Sequence, residues 1–224
     1  MNATLHSLHT GLPQDYPADP SQPGPLGRPW RSAFIKTPVE NQVELTATGL
    51  VGDGPADLKN HGGPDKAVNV YTLDHYPHWR SEFPDHTFEP GAFGENLTLT
   101  GVDESAVSIG DTFAVSGSTA SLTVTQPRQP CWKLARRHGI KDLPQRFIET
   151  GFTGWYFAVA EPGQLSAGQT LTRISNPHPE FTLRAANDAF YNTGQHCELA
   201  TALAGCHALS QSWRTAFVQK LTGR

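Results

Sequence analysis

The sequence predicts a mainly β protein: a closed or nearly closed barrel of short strands with a few short helices, followed by a small three-helix segment. Three observations carry this. Short runs rich in Val, Thr, Leu and Phe alternate between apolar and polar residues, and turn signals such as Gly-Asp-Gly, Ile-Gly-Asp and Ser-Gly-Ser separate them. Glycine at 21 and proline at 18 exceed average usage without reaching the level that marks disorder. Beyond Ile174 the apolar spacing changes from the period of a strand to that of a helix.

Taken in order, the apolar-polar alternation of Thr4–His9 predicts a first strand. Gly11–Pro29, with six prolines and three glycines, reads as an irregular surface loop. Strands are then predicted over Ser32–Thr37, Gln42–Thr48, Ala67–Thr72, Asn96–Thr100, Thr112–Ser116, Ala120–Thr125, Trp155–Ala160 and Gln169–Ile174. The spacing of Leu73, Tyr76, Trp79 and Phe83 predicts a helix over Leu73–Phe83, with Pro77 confined to its first turn or kinking it. Cys131–His138 and Asp142–Thr150 are predicted short helices, the second closed by Gly151. Asn176–Pro179 is a linker, and helices are expected over Thr182–Tyr191, Cys197–Ala204 and Ser210–Leu221. The stripes Leu183, Ala186, Phe190 and Trp213, Phe217, Val218, Leu221 make two of these amphipathic. The division expected is a barrel domain at 1–175 and a helical segment at 180–224 that leans on it, since so short a segment holds little core of its own. The Gly-Asp pairs at 52–53 and 110–111 read as plain turns.

Composition narrows the function. A net charge of −4 argues against nucleic acid or an anionic membrane as main partner, because both call for a basic face. Three cysteines do not make a disulfide framework. The start of the chain carries no signal-peptide pattern and no apolar run suits a bilayer span, so a cytoplasmic address is expected. Gly-x-Ser-x-Gly, P-loop and Gly-x-Gly-x-x-Gly fingerprints are missing from the sequence, which lowers support for the classes they mark.

Three constellations carry candidate chemistry. Lys59-Asn60-His61-Gly62-Gly63-Pro64-Asp65-Lys66 places a Gly-Gly pair, whose backbone N–H groups can face an anion, among His, Asp and Lys side chains suited to a phosphate or polar heterocycle. Ordinary turn chemistry accounts for the same residues. Gly91–Thr98 sets glycines beside Glu95 and Asn96 at the head of a strand, as a close backbone approach or as a turn. Gln126-Pro127-Arg128-Gln129-Pro130-Cys131-Trp132-Lys133 follows a strand and opens a helix, and its prolines fix where Cys131 points. In a first helical turn, with Arg128 and Lys133 folded toward it, that thiol would be activated as nucleophile or soft metal ligand. A buried structural cysteine is the alternative. His75 and His78 lie a helical turn apart with no third ligand in view and read as surface histidines. Cys197 and Cys206 read as small hydrophobes.

Taken together and in order, Gly49–Asp53, His61–Val68, Tyr76 with Trp79, Phe93–Thr98, Ile109–Asp111 and Gln126–Leu134 resemble the MOSC family, named for the C-terminal domain of molybdenum cofactor sulfurase. The three-helix tail resembles that of its YiiM-type subgroup. The resemblance implies a barrel of mixed strands and a molybdenum–pterin cofactor whose metal Cys131 ligates. It implies that Arg128 and the loop His61, Gly62, Gly63, Asp65 and Lys66 face the pterin phosphate or ring, with Asn96 nearby. The implied reaction is reduction of N-hydroxylated compounds, such as N-hydroxylated purine bases or amidoximes, to the amine. His61 is the candidate proton donor. With no flavin or iron–sulfur motif, electrons are expected from a separate reductase, and the amphipathic tail suggests a homodimer. A cofactor or sulfur carrier, a hydrolase pairing Cys131 with His61 or His138, and a plain anion-binding module are the competing readings.

Overall fold

The computed structural model describes residues 1–22, 24–57 and 61–223; Lys59 and Asn60 lie outside them. The strands in chain order are β1 (Asn2–Thr10), β2 (Gln14–Tyr16), β3 (Trp30–Ser32), β4 (Thr37–Val39), β5 (Val43–Thr46) and β6 (Gly49–Leu50). They continue with β7 (Val68–Thr72), β8 (Leu97–Thr100), β9 (Thr112–Val115), β10 (Ser121–Pro127), β11 (Trp155–Glu161), β12 (Gly163–Leu165) and β13 (Thr170–Ser175). The helices are α1 (Tyr76–Glu82), α2 (Trp132–His138), α3 (Leu143–Thr150), α4 (Leu183–Tyr191), α5 (Cys197–Gly205) and α6 (Gln211–Thr222).

The order β13-β9-β10-β11-β7-β8-β1 closes on itself where β1 returns to β13, pairing Asn2 with Thr172 and Thr4 with Thr170. Closure removes the open edges that a flat sheet would expose. The β7–β8 pair is parallel and the other barrel pairs are antiparallel, so the barrel is mixed. Alternation fills its interior: Leu5, Val68, Val70, Leu97, Leu99, Phe113, Leu122, Val124, Trp155, Phe157 and Leu171 are buried in one cluster. A second cluster, largely aromatic, lies under α1, α2 and α3. Trp79 stacks on Phe147 there with ring centroids 4.6 Å apart.

Several expectations need correction. Ser32–Thr37 is no strand: Ser32 Oγ accepts the Phe34 N–H at 3.0 Å and turns the chain, leaving two short strands at its ends. The loop at 11–29 contains β2, which pairs with β3 through Gln14–Ser32 and Tyr16–Trp30. The short β6 and β12 carry too little sequence for a period to register. Pro77 does sit at the start of α1, and Gly151 ends α3 at φ 71°. His75 is not on the surface; it is buried against Glu104, Nε2 to Oε2 2.6 Å, and stacked on Phe152. Cys206 packs as a small hydrophobe, but Cys197 is exposed.

The tail helices share the barrel's hydrophobic cluster through Leu183, Ala186, Phe190, Trp213 and Phe217. Backbone bonds stitch them on: Leu183 N to Val107 O, Arg184 N to Glu104 O, and Ser210 N to Thr125 O. The stripes that suggested a homodimer are thus mostly covered by the chain itself, although Val218 stays exposed. Among the described residues no helix is long and apolar enough to cross a membrane.

Candidate functional site

The β10 strand ends at Pro127, and Arg128 N then donates to Gly154 O at 2.9 Å, holding the descending chain against the start of β11. Gly154 can take part because it has no side chain: its φ is +70°, and a Cβ would lie 2.3 Å from Val70 O. Four residues past Pro127 the extended Cys131 caps α2, so the helix opens one residue later than the sequence suggests. Buried Leu134 pins α2 into the aromatic cluster. Cys131 is therefore held from both sides, half-buried and unpaired.

It opens onto a cleft of about 380 Å³ that also takes in His61, Gly62, Gly63, Lys66, Asn96, Arg128 and Lys133. Of the residues expected at a site, only Asp65 stays out of the cleft lining; its carbonyl accepts Thr125 Oγ1 at 2.6 Å and so fixes the loop to the barrel. Asn96 lines the wall, but its amide is engaged: Oδ1 accepts Asn69 N at 3.0 Å, and Nδ2 donates to His9 O at 3.2 Å. Neighbouring Glu95 is fully buried and organises the loop by accepting from Gly91 N, Phe93 N, Thr98 Oγ1 and Tyr76 Oη. Glu95 is thus the structural member of the motif, while Gly94 and Asn96 line the cleft. His138 faces away, with Nε2 on Ala92 O at 2.9 Å and its ring among Phe88 and Phe93, which removes it as a partner for Cys131.

The cleft is cationic in a chain that is acidic overall. Arg128 is only 4% exposed and leaves Nη1 buried without a hydrogen-bond partner, while its guanidinium lies 5.7 Å from the Phe34 ring. A buried guanidinium N–H left unpaired is costly, so such a group marks a place where a ligand completes the bonding. Desolvation, then the charges of Lys133, Arg128 and Lys66, lower the His61 imidazole to about 4, with Asp57 opposing. Burial also lowers the Lys66 ammonium, with Asp65 and Asp57 opposing. Among the described residues no three His, Cys, Asp or Glu side chains converge on a metal position. A metal held by Cys131 would take its other ligands from a bound group.

The lining residues that sequence reasoning did not assign to a site include Lys36, Asp53, Asn69 and Tyr156. Lys36 pairs with Asp53, whose Oδ1 also accepts Gly11 N at 2.8 Å, so the Gly52-Asp53 turn is an anchor as well. Asp111, in the other supposed plain turn, is likewise buried against Arg173 at 3.1 Å and Ser108 N at 3.0 Å. Asn69 and Tyr156 form part of the cleft from adjacent strands. A polar residue between two apolar ones on a strand that borders a motif was the available signal.

The MOSC domain model matches residues 57–172. The chain is 38% identical to YiiM of Escherichia coli, across 97% of this chain and 92% of that one. It is 37% identical over 162 residues to a protein of Gibberella moniliformis named a reductase, covering 71% of this chain but 28% of that one. The crystal structure of YiiM from Geobacillus stearothermophilus superposes with a TM-score of 0.80 at 30% identity, covering 98% of this chain and 99% of that one.

Proposed function

The chain belongs to the MOSC family, whose domain is associated with molybdenum-cofactor binding, and from that premise we propose that it is a molybdenum-dependent reductase of N-hydroxylated compounds. One observation carries the reading: Arg128, with a buried guanidinium N–H that has no hydrogen-bond partner, and Cys131, a half-buried free thiol, line the same cationic cleft. The residues fit the group. A thiolate suits molybdenum, which favours soft sulfur ligands, and Arg128 with Lys66 and Lys133 suits an anionic phosphate. Gly62 and Gly63 leave room for a ligand to approach the backbone.

When bound, the cofactor would supply the two electrons that the reduction of the N–O bond requires. Everything else falls to the protein. Cys131 would hold the metal, and Arg128 with the lysines would fix the anionic end. The balance is R–NH–OH + 2 H⁺ + 2 e⁻ → R–NH₂ + H₂O, so a proton must reach the departing oxygen. His61 is the candidate donor. Its imidazole is lowered to about 4, first by burial and then by the charges of Lys133, Arg128 and Lys66, so it is neutral at pH 7; a bound phosphate would offset only the charge part of that shift. The electrons come from a separate reductase.

The test is metal analysis of wild type and Cys131→Ala produced in a host that makes the cofactor. Wild type should carry molybdenum and, given a chemical reductant, convert benzamidoxime to benzamidine. The variant should keep its fold and lose both. Equal molybdenum in the two proteins removes the ligand assignment, and loaded wild type without turnover leaves a carrier.

A further inference from the structure

The face of the barrel wall that borders the cleft carries two polar groups that no described residue satisfies, one of them a buried amide oxygen. Asn69 of β7 and Tyr156 of β11 are directly paired in the antiparallel ladder. Their strand neighbours Val68, Val70, Trp155 and Phe157 are buried in the barrel core, so both polar residues project to the opposite face, toward Arg128 and Cys131. Asn69 Nδ2 donates to Gly94 O at 3.0 Å, which fixes the amide's orientation and leaves Oδ1 as its other face. That Oδ1 is buried and without a hydrogen-bond partner. The Tyr156 hydroxyl has no hydrogen bond to another described residue, and it lies near enough to Cys131 and Arg128 to feel their charges.

We propose that Asn69 and Tyr156 are a substrate-recognition pair, which reads an N–H donor beside a lone-pair acceptor on the molecule being reduced. An amidine-type edge, H–N–C=N, matches this pair: its N–H donates to Asn69 Oδ1, and its neighbouring nitrogen accepts from the Tyr156 hydroxyl. Amidoximes and N-hydroxylated aminopurines carry that edge; N-oxides without an N–H do not. A site built around an acceptor that only the right ligand satisfies discriminates strongly against a ligand lacking the donor. The inference rests on the reductase reading, and it adds which N-hydroxylated compounds the cleft prefers. The pair lines the same cleft as Cys131.

Asn69→Leu and Tyr156→Phe test it in the molybdenum-loaded protein. Without an electron donor benzamidoxime is not consumed, so its Kd can be read by calorimetry beside that of pyridine N-oxide, which has no N–H. Each variant should bind benzamidoxime about tenfold more weakly, the factor one ordinary hydrogen bond supplies. Binding of pyridine N-oxide, the thermal midpoint of Tyr156→Phe, and the molybdenum and pterin contents should match wild type. Equal weakening of both ligands, no weakening, or no binding of benzamidoxime to wild type overturns the proposal. Loss of pterin from either variant assigns the pair to the cofactor instead, whose own ring presents a similar edge, and also overturns it. Discriminating binding without reduction after a reductant is added sinks the reductase reading alone; reduction that both variants leave unchanged sinks the pair alone.

Discussion

Arg128 and Cys131 stand three positions apart, and the prolines between and before them keep the segment extended. Their types and spacing were legible in the chain; the orphaned Nη1 that gives Arg128 its meaning was not, because an unmet bond is a property of surroundings. Lys36 and Asp53 show the same limit. They stand seventeen positions apart, and only the fold makes them a nearly buried ion pair on the cleft wall. Lys36→Met should cost on the order of 3 kcal/mol in urea unfolding, because it strands a largely buried carboxylate. Adding Asp53→Leu should recover most of that loss, and a double variant no better than the single one would contradict the pairing. His138 gives a pH signature. Burial, opposed by its hydrogen bond to Ala92 O, lowers its imidazole from 6.5 to about 4. Between those values the unfolded chain binds a proton that the folded chain refuses, so stability falls as the pH drops through that window. His138→Gln should shrink the loss between pH 7 and pH 4.5 by on the order of 1–2 kcal/mol, after allowing for solvent screening. His61 adds to the same window, so the variant should reduce the acid sensitivity without abolishing it.

At the scale of elements, α2 and α3 act as the support of the site. Phe147 of α3 packs on Trp79 of α1 and on Tyr71 of β7, while Leu134 ties α2 to the same cluster. Trp79 Nε1 donates to Tyr71 Oη at 2.6 Å, and Tyr71 Oη donates to Phe152 O at 3.0 Å, so the aromatic cluster is polar-satisfied as well as packed. Phe147→Ala should lower stability by about 3–5 kcal/mol, the usual cost of truncating a buried phenylalanine. Because α2 begins immediately after Cys131, iodoacetamide should also label that thiol faster in the variant than in wild type. Destabilisation without faster labelling would mean that the prolines alone hold the cysteine in place. The helices were readable from their apolar spacing, and Gly151 from its place at the end of one of them. The break at Ser32–Thr37 was not, since a hydroxyl taking up a backbone N–H overrides a favourable alternation.

Over the whole molecule, the tail and the barrel share one apolar cluster, and the tail reaches the cleft's support from behind. Ser210 N bonds Thr125 O on β10, and Ser212 Oγ bonds Gln126 Oε1 next to it, two residues before Arg128. We therefore propose that 1–175 and 180–224 unfold as one cooperative unit, although each has its own secondary structure. Heating should give a single transition by calorimetry, and Trp213→Ala should lower it for barrel and tail probes alike. Two resolved transitions would mark the tail as independent.

The sequence by itself determined the strand-rich character, the positions of the helices, the placement of Cys131 between a strand and a helix, and the family resemblance. These are local: they depend on periodicity, on proline and glycine, and on motifs read in order. Only the tertiary structure decided that Asp65 anchors a loop while Lys36, Asn69 and Tyr156 line the cleft. Strand pairing and ring closure bring together residues that lie far apart in the chain. Whether a polar atom then finds a partner depends on neighbours that no short stretch of sequence contains.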